Sequence, residues 1–165
     1  MICIVGTNHE LQHTAVPFRA TAETTNKARE ELKSYLRRLA REIQPALMAE
    51  EFCQDVLTIK NADSNVKAIA GELGIEHRFC DPGFHERARL GLPMHGTEDC
   101  DPSDRSRFDG IRESYWLERL SDVLDKTVLF VCGADHVARF SRLLCEKGVA
   151  VEVREEYFGK DIYCR

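Results

Sequence analysis

The run Thr127-Val128-Leu129-Phe130-Val131-Cys132 is apolar at nearly every position. A strand carries such a run only when a layer covers each of its faces, as happens inside a parallel sheet. Four weaker runs lie elsewhere: Met1 to Val5, Pro45-Ala46-Leu47-Met48-Ala49, Glu76-His77-Arg78-Phe79-Cys80 and Val149-Ala150-Val151-Glu152-Val153. Helical patterns separate them. Within 21–41, Ala28, Leu32, Tyr35, Leu36 and Leu39 recur at helical spacing, and Lys, Arg and Glu fill the other positions as a solvated face. Ser64 caps a shorter helix that Gly74 closes. The spacing predicts a helix over 108–125 with Ile111, Leu117, Leu120 and Leu124 on one face. It predicts another over 136–147 with Val137, Phe140, Leu143 and Leu144. Strands alternating with helices define a three-layer α/β sandwich, a mostly parallel five-stranded sheet with helices on both faces.

At 165 residues, 43% hydrophobic and 31% charged, the chain suits one globular domain over 1–165. Asp81 to Arg107 interrupts the alternation. It holds three of the five prolines and reads as a long loop acting as a lid, a binding loop or an interaction arm. The net charge of -5 supplies no excess basic face, which argues against nucleic acid as a partner. No apolar run approaches the roughly 20 residues that span a bilayer, so no membrane partner is expected. The amino terminus lacks the charged and long apolar regions of a secretory signal. Seven cysteines, an odd number with no Cys-x-x-Cys spacing, disfavour a disulfide framework and a zinc knuckle. Cys3 and Cys132 read as small buried hydrophobes, and the carboxylates flanking Cys100 disfavour a nucleophilic thiol there. The expected compartment is a reducing cytoplasm.

Two strands end in the same signal, Gly6-Thr7-Asn8-His9 and Gly133-Ala134-Asp135-His136. A glycine permits a sharp strand exit and a histidine follows at the carboxyl edge of the sheet, where open parallel sheets bind ligands. With the order 3-2-1-4-5, the first and fourth strands would be neighbours at the switch point, and His9 and His136 would face one crevice. The second run ends in Ala49-Glu50-Glu51-Phe52 and the third at Asp81, on the same edge. Two imidazoles with one or two carboxylates are a ligand set for Mn, Zn, Fe or Co. His9, Glu50 and His136 would hold this divalent ion, with Asp81 or Glu51 as a further ligand, and a bound water would attack the substrate. Arg112 is the candidate stabiliser of developing negative charge, and Glu113 or Glu51 the candidate proton carrier. Each residue also has a plainer reading. A histidine opening a helix serves as a polar cap, a glutamate pair after a strand as a solvated exit, and Glu113 as a first-turn residue favoured by the helix dipole. Tyr115 and Trp116 read as core.

The double Gly-x-x-His pattern, the carboxylate after the second strand and the arginine-led helix before the second Gly-x-x-His resemble the TraB/Tiki superfamily. That group includes the ChaN-like haem-binding proteins and the erythromycin esterases. The closest stretch is Arg112 to Leu144, and Ala49-Glu50-Glu51-Phe52 is similar to the family's glutamate site. The resemblance implies a metal-dependent hydrolase with His9, Glu50, Arg112 and His136 at the polar site positions. The chain lacks the long helical insertions of most members, so no substrate carries over.

His9-Glu10-Leu11-Gln12-His13 also spells His-Glu-x-x-His, the zincin signature. That chemistry needs both histidines on one face of a long helix, and Pro17 leaves barely two turns. His13 stands as an accessory ligand at most. His77 reads as structural, and His85 and His95 as solvated loop residues. No Gly-x-Gly-x-x-Gly follows the first strand, and no Walker loop or Gly-x-Ser-x-Gly elbow is present. The leading expectation is metal-assisted hydrolysis of an ester, amide or phosphoester in a small-molecule or peptide substrate. The alternative is a non-catalytic sensor holding a metal, haem or nucleotide in the same crevice. Assembly as a homo-oligomer is left open.

Overall fold

The structure, a computed structural model, describes residues 1–17, 20–94 and 100–163. Each apolar run becomes a strand: β1 (Ile2–Thr7), β2 (Leu47–Glu50), β3 (Glu76–Phe79), β4 (Val128–Gly133) and β5 (Val151–Phe158). They form one sheet in the order β3-β2-β4-β1-β5, with all neighbours parallel. Helices α1 (His9–Gln12) and α2 (Ala22–Ile43) join β1 to β2, and α3 (Gln54–Ile59) and α4 (Asn65–Leu73) join β2 to β3. Helices α5 (Phe84–Leu90) and α6 (Pro102–Arg119), then a 3-10 turn at Ser121–Val123, lead to β4. Helix α7 (Ala134–Glu146) joins β4 to β5, and α8 (Lys160–Tyr163) follows. The expected α/β sandwich is the architecture found, with a fully parallel sheet. Among the described residues no helix is long and apolar enough to cross a membrane.

Side-chain alternation along the strands sorts the core into two layers. Ile2, Ile4, Ala49 and Phe130 pack with Trp116 of α6 and Phe140 of α7. Cys3, Val5, Met48 and Val131 pack with Leu32 and Leu36 of α2 and Ile69 of α4. The steps β1 to β2 and β2 to β3 move toward one edge of the sheet, and the later steps move back. Right-handed crossovers therefore put α2 and α4 on one face and α6 and α7 on the other.

Three sequence expectations are corrected. The strand order is 3-2-4-1-5, not 3-2-1-4-5. The strand with apolar side chains on both faces takes the middle of the sheet, and β1 remains its neighbour. The stretch 81–107 is not one long loop. It folds into α5, which ends at Gly91 with φ 67°, and the first turns of α6, capped by the Asp101 carboxylate with Pro102 in its first turn. His95, within 95–99, lies outside the described residues. Finally, the buried stripe of α6 is Arg112, Glu113 and Trp116, continued by Leu120, whereas Ile111, Leu117 and Leu124 are only partly buried.

The connections after β1 and β2 leave to one face and the connection after β4 leaves to the other. The carboxyl ends of these three strands therefore open into a crevice at the switch point.

Candidate functional site

Strand pleating decides which of the paired glutamates enters the crevice. Glu50 shares the face of Met48 and lies beneath α4, where Ser64 Oγ donates to its Oε1 and His77 Nε2 sits 2.8 Å from the same oxygen. Burial raises the Glu50 carboxyl above its ordinary range, opposed by His77 and Ser64. Glu51 extends the ladder by one residue, its N–H donating to Val131 O at 2.9 Å, and its side chain turns to the sheet edge beside β4.

Four groups converge on the buried Glu51 carboxylate. Oε2 accepts the Gly133 N–H at 2.6 Å and lies 3.3 Å from His9 Nε2. Oε1 accepts from Arg112 Nη2 at 2.5 Å and lies 3.3 Å from His136 Nε2. Burial alone would raise this carboxyl, but the charges of His9, Arg112 and His136 outweigh it and hold it well below the usual range.

Arg112 reaches the crevice because the Asp109, Arg112, Glu113 and Trp116 stripe repeats at helical spacing on α6. Its Nε donates to Asp81 Oδ1 at 2.8 Å, and the same oxygen accepts from Trp116 Nε1 at 3.0 Å. Arg87 holds the other Asp81 oxygen at 2.6 Å. Burial opposes the Arg112 charge, yet Asp81 and Glu51 keep the guanidinium firmly protonated. His136, in the first turn of α7, places Nδ1 2.8 Å from Glu113 Oε1. Burial works against its charge, but Glu51 and Glu113 prevail and push its pKa up to about 10.

Both glycines of the repeated signal are explained by close approach. A Cβ on Gly133 would sit 2.5 Å from His9 Nε2 and 3.2 Å from Glu51 Oε2. A Cβ on Gly6 would sit 2.1 Å from the Glu156 carbonyl oxygen. Gly6 does not close its strand. β1 runs on to Thr7, Asn8 caps α1 by accepting the Glu10 N–H at 2.9 Å, and His9 follows.

These side chains surround a cleft of about 460 Å³, also lined by His13, Phe52, Val56, Lys60 and Asp109. A shallower surface hollow of about 510 Å³ along α2 is lined by Lys27, Glu30, Tyr35 and Arg38 and holds no such convergence of buried charge. Of the residues expected at the site, His9, Glu51, Asp81, Arg112 and His136 line the cleft. Glu113 supports it through His136, while Glu50 belongs to the α4 layer. His77 is structural through Glu50, and the His85 side chain is 90% exposed on α5. The His-Glu-x-x-His segment forms only the four residues of α1, because the backbone of His13 pairs with Ser64 and ends the helix. Asp109 was missed, although its place three residues before Arg112 puts it on the same helix face. Its Oδ1 is buried without a hydrogen-bond partner, 3.8 Å from Arg112 Nη1 and 4.0 Å from His136 Nε2.

The donor set does not fit the expected divalent ion. His136 Nε2 lies 3.3 Å from Glu51 Oε1 and 3.3 Å from Arg112 Nη1, so the guanidinium already stands where a cation would compete. Among the described residues no group of three or more His, Cys, Asp or Glu side chains is arranged to hold a metal ion. Of the cysteines, Cys132 and Cys80 are buried, the latter thiol pushed up to about 12 by desolvation, and neither is disposed to act as a nucleophile.

No protein-family model, curated protein or solved structure matches the chain. The resemblance to the TraB/Tiki superfamily rests on the motifs alone.

Proposed function

We propose that the cleft hydrolyses a carbonyl ester or amide of a small-molecule or peptide substrate, using His9 as general base. The observation that carries this reading is the position of Glu51, buried between a cationic pair on one oxygen and the half-exposed His9 on the other. The His9 side chain is 46% exposed, so it is open to the cleft, and its Nε2 faces Glu51 Oε2. With Nε2–H donated to that carboxylate, Nδ1 is the nitrogen that takes a proton from water. The water oxygen then bonds to the carbonyl carbon, and the carbonyl π electrons move onto oxygen. Arg112, held by Asp81 through Nε and by Glu51 through Nη2, supplies its Nη1 donors to that oxyanion, and His136 adds positive charge beside it. On collapse, the bond to the leaving group breaks and the His9 imidazolium returns its proton to it. Asp109 Oδ1, unpartnered near both cations, is an acceptor for a substrate N–H or O–H.

The test is a panel of 4-nitrophenyl esters and anilides presented to chelator-treated wild-type protein and to His9→Ala. The expected result is turnover that survives chelation and falls at least ~100-fold in the variant, with circular dichroism unchanged. Turnover that appears only after a divalent ion is restored would return a metal to the mechanism. Ligand binding with no turnover in any arm would favour the sensor reading.

A further inference from the structure

The cleft has a second wall that this chemistry does not use. Phe52 just before α3, Val56 within it and Lys60 at its C-cap all line the cleft. His13 stands beside them, its ring edge-on to Phe52 with centroids 5.3 Å apart. It is pinned there by its backbone bridge to Ser64 and by Thr14 N–H donating to Asp63 O at 3.0 Å.

Only 3% of His13 is exposed, and the hydrogen bonds around it fix its tautomer. The Ala15 N–H donates to Nδ1 at 3.2 Å, so the ring proton is on Nε2. Among the described residues no side chain is bonded to Nε2, which leaves that donor to the cleft. Burial, aided by the Lys60 and Arg29 charges, pushes the ring's pKa down to about 4, so it donates as a neutral group. Lys60 is exposed, and among the described residues no carboxylate pairs with it. Arg87 is by contrast held by Asp81, and Arg112 lies at the reaction centre beside Glu51.

We propose that His13 and Lys60 form a subsite for an anionic group, a carboxylate or a phosphate, carried by the substrate beyond a short apolar spacer that lies on Phe52 and Val56. An oxygen of that group accepts the His13 Nε2–H while the Lys60 ammonium neutralises its charge. Calling the bound molecule a substrate rests on the hydrolytic reading of the same cleft. The anion subsite itself does not.

The experiment titrates wild-type protein with succinate, its dimethyl ester and inorganic phosphate, following the His13 side-chain ¹⁵N resonances. Two variants accompany it. Lys60→Met removes the surface charge. His13→Asn keeps an oxygen to accept the Ala15 N–H but no longer reaches the cleft, and its binding is read by calorimetry. Saturable shifts at His13 Nε2 are expected with succinate or phosphate and not with the diester, and which anion binds more tightly identifies the group. Binding should weaken about fivefold in Lys60→Met and about tenfold in His13→Asn. Equal binding by wild type and both variants, or no shift with either anion, overturns the subsite. Anion binding with these losses in a protein that hydrolyses none of the esters would sustain the subsite and refute the hydrolase.

Discussion

Neutralising Glu51 would leave Arg112 Nη1 and His136 Nε2 facing each other at 3.3 Å, with Asp81, Asp109 and Glu113 as their remaining counter-charges. Breaking a buried ion pair from one side costs about 3 kcal/mol or more, so Glu51→Gln should lower unfolding free energy by that order in a denaturant titration. Gly133→Ala tests the other oxygen. Its methyl group would displace His9, and the expected outcome is at least a ~10-fold loss of kcat with a stability loss of about 1–3 kcal/mol. His136 gives a pH signature. Its folded pKa of about 10 lies above the ordinary value of 6.5, so its stabilisation is complete below pH 6.5 and is lost as pH rises through about 10. Glu113→Gln removes one of the two carboxylates responsible. An NMR titration should then find the His136 midpoint lower than in wild type, and an unchanged midpoint would deny Glu113 that role.

At the scale of elements, the end of β2 and the start of α4 separate a structural carboxylate from a functional one. Ser64 Oγ accepts the Lys67 N–H at 2.9 Å and donates to Glu50, so Ser64→Ala removes a helix cap and a buried partner together. About 1–2 kcal/mol of stability should be lost while ester hydrolysis is retained, measured by thermal melts beside initial rates. The sequence analysis could read the strand ends, because apolar runs and exit glycines are local signals. It could not rank Glu50 against Glu51, since that choice depends on the register of β2 against β3 and β4, a long-range fact. Helix α6 failed differently. Its interior stripe is Asp109, Arg112, Glu113 and Trp116, a polar face that hydrophobic periodicity passes over in favour of Ile111, Leu117 and Leu124. The 81–107 stretch misled because its prolines and glycines terminate and initiate short helices there.

For the whole molecule, the topology 3-2-4-1-5 puts β4 between β1 and β2, so the loops bearing His9, Glu51 and His136 meet although they are up to 127 positions apart in the chain. The same closure buries groups that set acid stability. The folded pKa of His13, about 4, lies below 6.5, so the unfolded chain binds the extra proton between these values and stability falls as pH drops through that window. Glu51, held below its ordinary range, adds to the loss at pH values below about 4.5, as the unfolded carboxyl protonates first. The His13 contribution is on the order of 3 kcal/mol as an upper bound. Urea titrations at pH 7 and pH 4.5 should show this loss in wild type and a smaller one in His13→Asn. Equal losses in the two proteins would remove His13 from the acid response.

The central claim is that His9 acts only as oriented by Glu51. A double-mutant cycle of kcat/KM with His9→Ala and Glu51→Gln measures it directly, with circular dichroism confirming that each variant folds. The expected result is a double variant no slower than the slower single one. Rate losses that multiply independently would contradict it.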